Sequence, residues 1–492
     1  LFPIKAIPVE LFQAIIWMVM EEYLPGPSSR YYLALAQLTL VCRQWAVILE
    51  GTPELWGRLS LDMKDKLIDL LLSRSKQSPL PITGKGMFFS FVVEKLLQHV
   101  YRWRALDVDF LEDDFLNFHD EDIENHLTVH SAPLLEELKL GISGFTAPAP
   151  LFNGSFPMLR IVHIRDYGVQ WSTSVFSNLQ ELELSRVLHR GPDVDTFLHI
   201  LANSPMLTRL RVLGTRFTHS LPSQTRVRLS HLRDLELEDL GQVILKQLVD
   251  AIDISTSTNC FFSVELMRWG IHDNYPLLEP ITQRLRELAN VSIGTRSTLT
   301  FGKPLPRSRY DLTMTYEGEA YQHGTLTARV EWSGRGKLAI RVARHFARQL
   351  AQSVLNLVPP TLHLIYPQDS EYYNGYEGLI FRAASDQLPG TEEIVIDNPN
   401  NRNIGTVLDY LFPRTNSHRL RPHLSTLIIR SVAHGIWAHW LQRRQERRVK
   451  EGGVYSLPLQ TLILEGGRIK AGKIELLRKL VPNLVLKDVE IR

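Results

Sequence analysis

The sequence predicts a mixed α/β (α+β) chain of 492 residues, a short helical module followed by a long, irregular array of strands and connectors. Three observations predict it. Apolar residues recur at three- and four-residue intervals over the first fifty or so positions, the period of an amphipathic helix. From about residue 130 the pattern becomes Leu-x-x-Leu-x-Leu, returning every 20 to 28 residues or so. Between those motifs, stretches such as 195–207 and 241–254 read as helical connectors.

In the opening segment Pro8 suits a first helical turn, where its missing N–H would have no intrahelical partner. Leu11, Phe12, Ile15, Ile16 and Val19 then define one helical face, and Pro25-Gly26-Pro27-Ser28-Ser29 ends it. A single second helix is expected to carry Leu35, Leu38, Val41, Cys42, Trp45, Ile48 and Leu49 on one side. Gly51 and Pro53 stop it, and Leu55 and Trp56 are placed to fold back over the helix pair. Such stripes usually close a hairpin's own core. A lone core of this size is marginal, however, so part of the apolar surface is expected to meet a partner, each large side chain contributing roughly 1.5–3 kcal/mol.

Ile7-Pro8-Val9-Glu10-Leu11, then Leu38-x-x-Val41-Cys42-Arg43-x-Trp45-x-x-Ile48, then Thr52-Pro53-x-Leu55-Trp56, resembles an F-box of the F-box-like type abundant in fungi. The resemblance covers residues 5–60. It implies docking on the Skp-type adaptor of an SCF (Skp–cullin–F-box) ubiquitin ligase and, through that adaptor, on a cullin. Carried over by position, Pro8, Leu11, Ile15, Leu38, Val41, Cys42 and Trp45 would supply most of the adaptor contact. The Pro25–Tyr32 insert is longer than that family's usual connection. The chain opens at Leu1, not at a methionine, which leaves the question of upstream residues open.

The array reads Leu135-x-x-Leu138-x-Leu140, Leu159-x-x-Val162-x-Ile164, Leu179-x-x-Leu182-x-Leu184, Leu207-x-x-Leu210-x-Val212 and Leu232-x-x-Leu235-x-Leu237. Phe261-x-x-Val264-x-Leu266 and Leu288-x-x-Val291-x-Ile293 extend it less cleanly. The interval is that of leucine-rich repeats, one strand plus one returning connector per turn. Alternate strand residues enter the core, and each unit buries its edge on the next. Where such repeats often place Asn or Cys, this chain has Ser143, Tyr167, Val187, Thr215 and Leu240. An irregular leucine-rich-repeat-like solenoid is therefore expected, similar to the degenerate repeats of F-box–leucine-rich proteins.

The expected divisions are a helical module over 1–60, a linker with the first array elements over 61–130, and the main array over 131–295. Irregular repeats or a β insertion follow over 296–390, then a C-terminal array and cap over 391–492. In 61–130, Arg102–Val108 is expected to be the first strand. In 296–390, further repeats through Leu312-x-Met314, Leu338-x-Ile340 and Leu362-x-Leu364 are favoured over a β-hairpin of Asp311–Tyr316 with Thr325–Trp332. The cleaner pattern returns at Glu393–Ile396, Leu424-x-x-Leu427-x-Ile429 and Leu459-x-x-Leu462-x-Leu464, and Pro482–Leu486 supplies a last strand or cap.

No catalytic constellation stands out, and the expectation is a chain that is not an enzyme and uses no cofactor or metal. Gly334-Arg335-Gly336-Lys337 lacks phosphate-loop spacing, and the acidic residues between Asp107 and Glu124 lack calcium-loop spacing. The 17 histidines form no metal motif, and Arg443–Lys450 reads as a solvated basic run. A net charge of +2 argues against nucleic acid. Two distant cysteines, Cys42 and Cys260, fit a reducing cytoplasmic or nuclear setting. The apolar run 11–20 is too short for a membrane.

The strand residues flanking the last two leucines are the candidate substrate face: Glu137, Lys139, His163, Arg165, Glu181, Glu183, Arg209, Arg211, Asp234, Glu236 and Glu238. Bands of opposite sign favour a protein with its own alternating charges. The expected function is the substrate-recognition subunit of an SCF-type ligase, binding an unidentified target protein. The rival reading is a scaffold uncoupled from ubiquitination, and a third is an enzyme whose site converges within 295–390.

Overall fold

The computed structural model describes residues 7–23, 28–85, 90–110, 127–142, 150–218, 225–254, 258–265, 296–301, 309–317, 326–333, 361–365, 391–397, 424–432, 442 and 459–492. Helices and strands are mixed along the chain, an α/β class, with no closed barrel among the described residues. Two compact units divide it, Leu1–Leu232 with Ala251–Asp253, and Arg233–Asp250 with Ile254–Arg492.

The first unit opens with three helices, α1 (Val9–Glu21), α2 (Ser28–Thr39) and α3 (Arg43–Glu50), followed by a 3₁₀ turn at Pro53–Trp56. Pro8 stands just ahead of α1 as its cap, its carbonyl accepting from the Phe12 N–H at 3.0 Å. The expected single second helix is in fact two. The N–H groups of Leu40 and Val41 turn back to the carbonyls of Gln37 and Leu38, and Cys42 is extended. A new helix then starts with the Ala46 N–H on the Cys42 carbonyl, so Leu35 and Trp45 share no helical face. Part of the Pro25–Tyr32 insert is the start of α2, and Tyr31 and Tyr32 are buried.

Phe12, Ile16 and Met20 form the buried stripe of α1, and the Trp45 ring meets Phe12 edge-on with centroids 4.8 Å apart. Leu55 and Trp56 do fold back over the helices. Trp56 Nε1 donates to the Leu49 carbonyl at 2.8 Å, and the Arg74 guanidinium stands 4.3 Å over its ring. The hydroxyls of Tyr31 and Tyr32 donate to the carbonyls of Leu55 and Arg58. Burial pushes the Tyr31 phenol up to about 12 and raises that of Tyr32 as well, so both remain donors.

Behind this module come β1 (Leu59–Ser60), α4 (Asp65–Ser75), β2 (Leu80–Lys85), α5 (Ser90–Leu97), β3 (Trp103–Phe110), β4 (Glu137–Ile142), β5 (Ile161–Arg165), β6 (Glu181–Ser185), α6 (Val194–Ala202), β7 (Arg209–Leu213) and β8 (Val227–Leu229). β1 to β7 pair in parallel, each with the next in chain order. The described residues between 61 and 110 carry α4, β2, α5 and β3, and the strand expected at Arg102–Val108 is third in the succession, not first. β2 escaped the sequence because Pro81 and Gly84 interrupt it; Pro81 sits at a register shift, where a strand tolerates proline. The leading leucines of the motifs, Leu135, Leu159, Leu179 and Leu207, are buried, as are the two apolar residues each strand sends inward.

A turning residue with positive φ follows each of β5, β6 and β7: Asp166 (57°), Arg186 (53°) and Gly214 (55°). The residue after it, Tyr167, Val187 or Thr215, is buried. These buried side chains are apolar or carry a hydroxyl, and Ser143 lies outside the described residues.

The second unit holds β9 (Asp234–Glu238), most of α7 (Gln242–Ala251), β11 (Asn259–Glu265), β12 (Arg296–Phe301), β13 (Arg309–Glu317), β14 (Leu326–Ser333), β15 (Thr361–Ile365), β16 (Glu393–Asp397), β17 (Thr426–Val432), β18 (Thr461–Ile469), α8 (Ala471–Leu480), β19 (Asn483–Lys487) and β20 (Glu490–Ile491), while the first two residues of β10 (Ile252–Ile254) belong to the first unit. β9 pairs with β11 in parallel, as do successive strands from β15 to β19. β12, β13 and β14 instead form an antiparallel meander, with β14 parallel to β11 and β12 parallel to β15. The preference for continued repeats at Leu312-x-Met314 is therefore corrected: those residues lie in the middle strand of the meander, whose β13–β14 hairpin is the rejected alternative. The alternation of Tyr310 to Tyr316 was its signal. Leu362-x-Leu364 does lie on a parallel strand, while 288–293 and Leu338-x-Ile340 fall outside the described residues.

Candidate functional site

Two surfaces carry the residues singled out from the sequence. On the helical module, α1 has a second apolar stripe beside its buried one. Leu11, Ile15 and Met18, spaced i, i+4 and i+7, point to solvent, and Leu11 is 59% exposed. Val41, 58% exposed, and Cys42 lie on the turn between α2 and α3; Pro8 is exposed and Leu38 is partly covered. Trp45 turns inward against Phe12 and is only partly accessible. Leu33, Leu40 and Val47 are exposed apolar residues that sequence reasoning passed over; Leu40, at 84%, is the most open of all. Met18 was reachable from the sequence, two helical turns beyond Leu11. More than half of the large exposed hydrophobics among the described residues fall between Val9 and Val47, an uneven distribution for an ordinary surface.

The second surface is the polar face of β3 to β7. Register aligns Asp107, Lys139, His163, Glu183 and Arg211 in one row, and Glu137, Ile161, Glu181 and Arg209 in the next. The charges are matched among themselves. Arg209 reaches Glu181 at 3.2 Å, Arg211 reaches Glu183 at 3.1 Å, His163 lies 3.6 Å from Glu181, and Lys139 pairs with Glu137. Arg165 reaches across β4 to Asp109, two strands away in the register. Gly141 makes that bridge possible: a Cβ there would lie 2.8 Å from Asp109 Oδ1 and 3.0 Å from Arg165 Nη2. These side chains thus lie side by side in two register rows, and most of their charges pair with one another. Asp234, Glu236 and Glu238 lie on β9 in the other unit, where Asn259 Nδ2 donates to Asp234 at 3.0 Å.

No protein-family model and no curated protein matches the chain. The site is therefore read from its own chemistry. Among the described residues no group of three or more His, Cys, Asp or Glu side chains is arranged to hold a metal, and no helix is long and apolar enough to cross a membrane. The acidic residues after Asp109, the basic run 443–450 and Gly334–Lys337 lie outside the described residues.

Burial holds His163 below the ordinary histidine value of 6.5, against the pull of Glu183 and Glu181. As pH falls through that value the unfolded chain takes up a proton that the folded chain refuses, so stability is lost. Hydrogen bonds from Lys487 and Arg430 hold Glu465 below its ordinary 4.5, a contribution that is full above that value and is lost as pH falls through the folded pKa. Apparent melting temperature, followed by circular dichroism, is expected to fall on acidification, beginning below about pH 6.5. His163→Gln should flatten that first stage; an unchanged profile would exclude His163 as its source.

Proposed function

We propose that the chain is the substrate-recognition subunit of an SCF-type ubiquitin ligase. It docks on a Skp-type adaptor through an F-box-like module and holds a target protein on a leucine-rich-repeat-like array. The observation that carries this reading is the open apolar face of the module. Phe12, Ile16, Leu35 and Leu49 close its core, yet Leu11, Ile15 and Val41 remain in water at positions the resemblance assigns to the adaptor. The array reading rests on one motif per parallel strand in chain order and on the positive-φ residue after β5, β6 and β7. The chain then contributes proximity, bringing an acceptor lysine near a charged ubiquitin-transfer enzyme held elsewhere.

The test is calorimetric titration of the purified chain with a Skp-type adaptor. Leu11→Asp with Val41→Asp is the informative variant, because Trp45 and Leu38 are partly built into the module's own packing. Loss of two apolar contacts of roughly 1.5–3 kcal/mol each predicts binding at least ~100-fold weaker, with the fold intact. Absence of adaptor binding by the unmodified chain would leave the scaffold reading in its place.

A further inference from the structure

Two methionines stand on α1, and their surroundings are opposite. Met20 is fully buried in the stripe it shares with Phe12 and Ile16. Met18, two residues earlier, is 61% exposed at the end of the open stripe of Leu11 and Ile15. A thioether in water is open to peroxides, and one packed in a core is shielded from them. Oxidation turns an apolar side chain into a polar one that carries a sulfoxide oxygen. At Met18 that change costs the fold little, because the side chain lies outside the module's core. Against an apolar partner it costs much more, because the new oxygen loses its water and gains no donor.

We propose, on the footing of the adaptor docking above, that Met18 is an oxidation site whose state controls that docking. A peroxide is the oxidant. The Met18 sulfur lone pair attacks one peroxide oxygen, and an S–O bond forms as the O–O bond breaks. With hydrogen peroxide the other oxygen leaves as water, so the sulfide is oxidised to the sulfoxide and the peroxide is reduced. Docking and oxidation then oppose each other: an adaptor seated on the open stripe shields the sulfur, and the sulfoxide weakens the adaptor. Sulfoxide reductases make the change reversible. The buried Met20 keeps the module folded in either state.

Calorimetric titration of the full chain with the adaptor, before and after mild hydrogen peroxide, tests this, with peptide mass spectrometry recording which methionines carry oxygen. Dithiothreitol added after the peroxide returns an oxidised Cys42, also exposed, to the thiol and leaves sulfoxides in place. Met18 is expected to oxidise well before Met20, with binding weakened roughly tenfold to a hundredfold and the melting temperature unchanged. Methionine sulfoxide reductases should restore the affinity, and saturating adaptor should slow oxidation at Met18. Met158 and Met206 are exposed as well but lie on the array, so Met158→Leu with Met206→Leu should lose affinity on treatment as the unmodified chain does. Met18→Leu, whatever its own starting affinity, should hold it through the same treatment. The proposal is overturned if Met18→Leu loses affinity like the unmodified chain, or if Met20 oxidises as fast as Met18. Failure of the untreated chain to bind the adaptor overturns the docking itself, whereas normal docking that is indifferent to the Met18 sulfoxide overturns the switch alone.

Discussion

Gly191→Ala is expected to cost ~3 kcal/mol or more, because no side chain can absorb the added carbon. A Cβ at residue 191 would lie 1.9 Å from the carbonyl oxygen of Arg216, a backbone atom. The two segments are fastened on either side of that approach. The Arg216 N–H donates to the Val187 carbonyl at 2.9 Å, the Thr218 N–H to Pro192 at 3.1 Å, and Asp193 bridges to Thr218. The clash must therefore open the loops after β6 and β7 together, beside the start of α6. Gly472→Ala is the matched control: in α8, with nothing within 4 Å of its Cβ, it should be neutral or stabilise by up to ~1 kcal/mol. Urea titration of both variants checks the contrast, and equal midpoints would exclude the steric account.

Trp56→Ala is the second large effect, expected at ~3–5 kcal/mol for loss of a buried indole. The side chain fills the space between α3 and α4, stacks under Arg74 and satisfies the Leu49 carbonyl. Truncation leaves a cavity and removes one of two hydrogen bonds to that carbonyl, which keeps the Thr52 N–H at 3.2 Å, while the Arg74 contact with Glu50 at 3.1 Å is too exposed to compensate. Trp56→Phe keeps most of the volume and should cost clearly less. If both variants melt alike, the hydrogen bond and not the packing is the main contribution.

Trp56 also shows what was legible from sequence. Its burial followed from a Pro-x-Leu-Trp run placed after a helix stop, and the leucines of the array followed from spacing alone. Spacing failed where the backbone broke a pattern without the usual residues. The turn at Leu40–Cys42 contains neither glycine nor proline, so α2 and α3 read as one helix. β2 was hidden by Pro81 and Gly84, and the Pro25–Tyr32 insert concealed two buried tyrosines. On the candidate surfaces, residue types were visible but partners were not. Arg165 and Asp109 are 56 positions apart, and only the register of β3, β4 and β5 brings them together over Gly141. The open stripe of α1 was visible as apolar periodicity, but which half of it faced water needed the packing of Phe12 on Trp45.

The meander of β12 to β14 has a kinetic consequence. Where strands stack in chain order, each unit touches only its neighbours in sequence, and folding can start anywhere and spread one unit at a time. Here the chain leaves β11, lays down β12 at the far side, and returns through β13 to place β14 against β11. β15 docks on β12, not on the strand before it in sequence. Strands β11 to β15 thus form one block of long-range closures, in which no strand can be removed without parting those on either side. Loop-closure entropy must be met across the whole block before its pairings reward it, which makes this stretch the slow and all-or-none step of an otherwise stepwise chain.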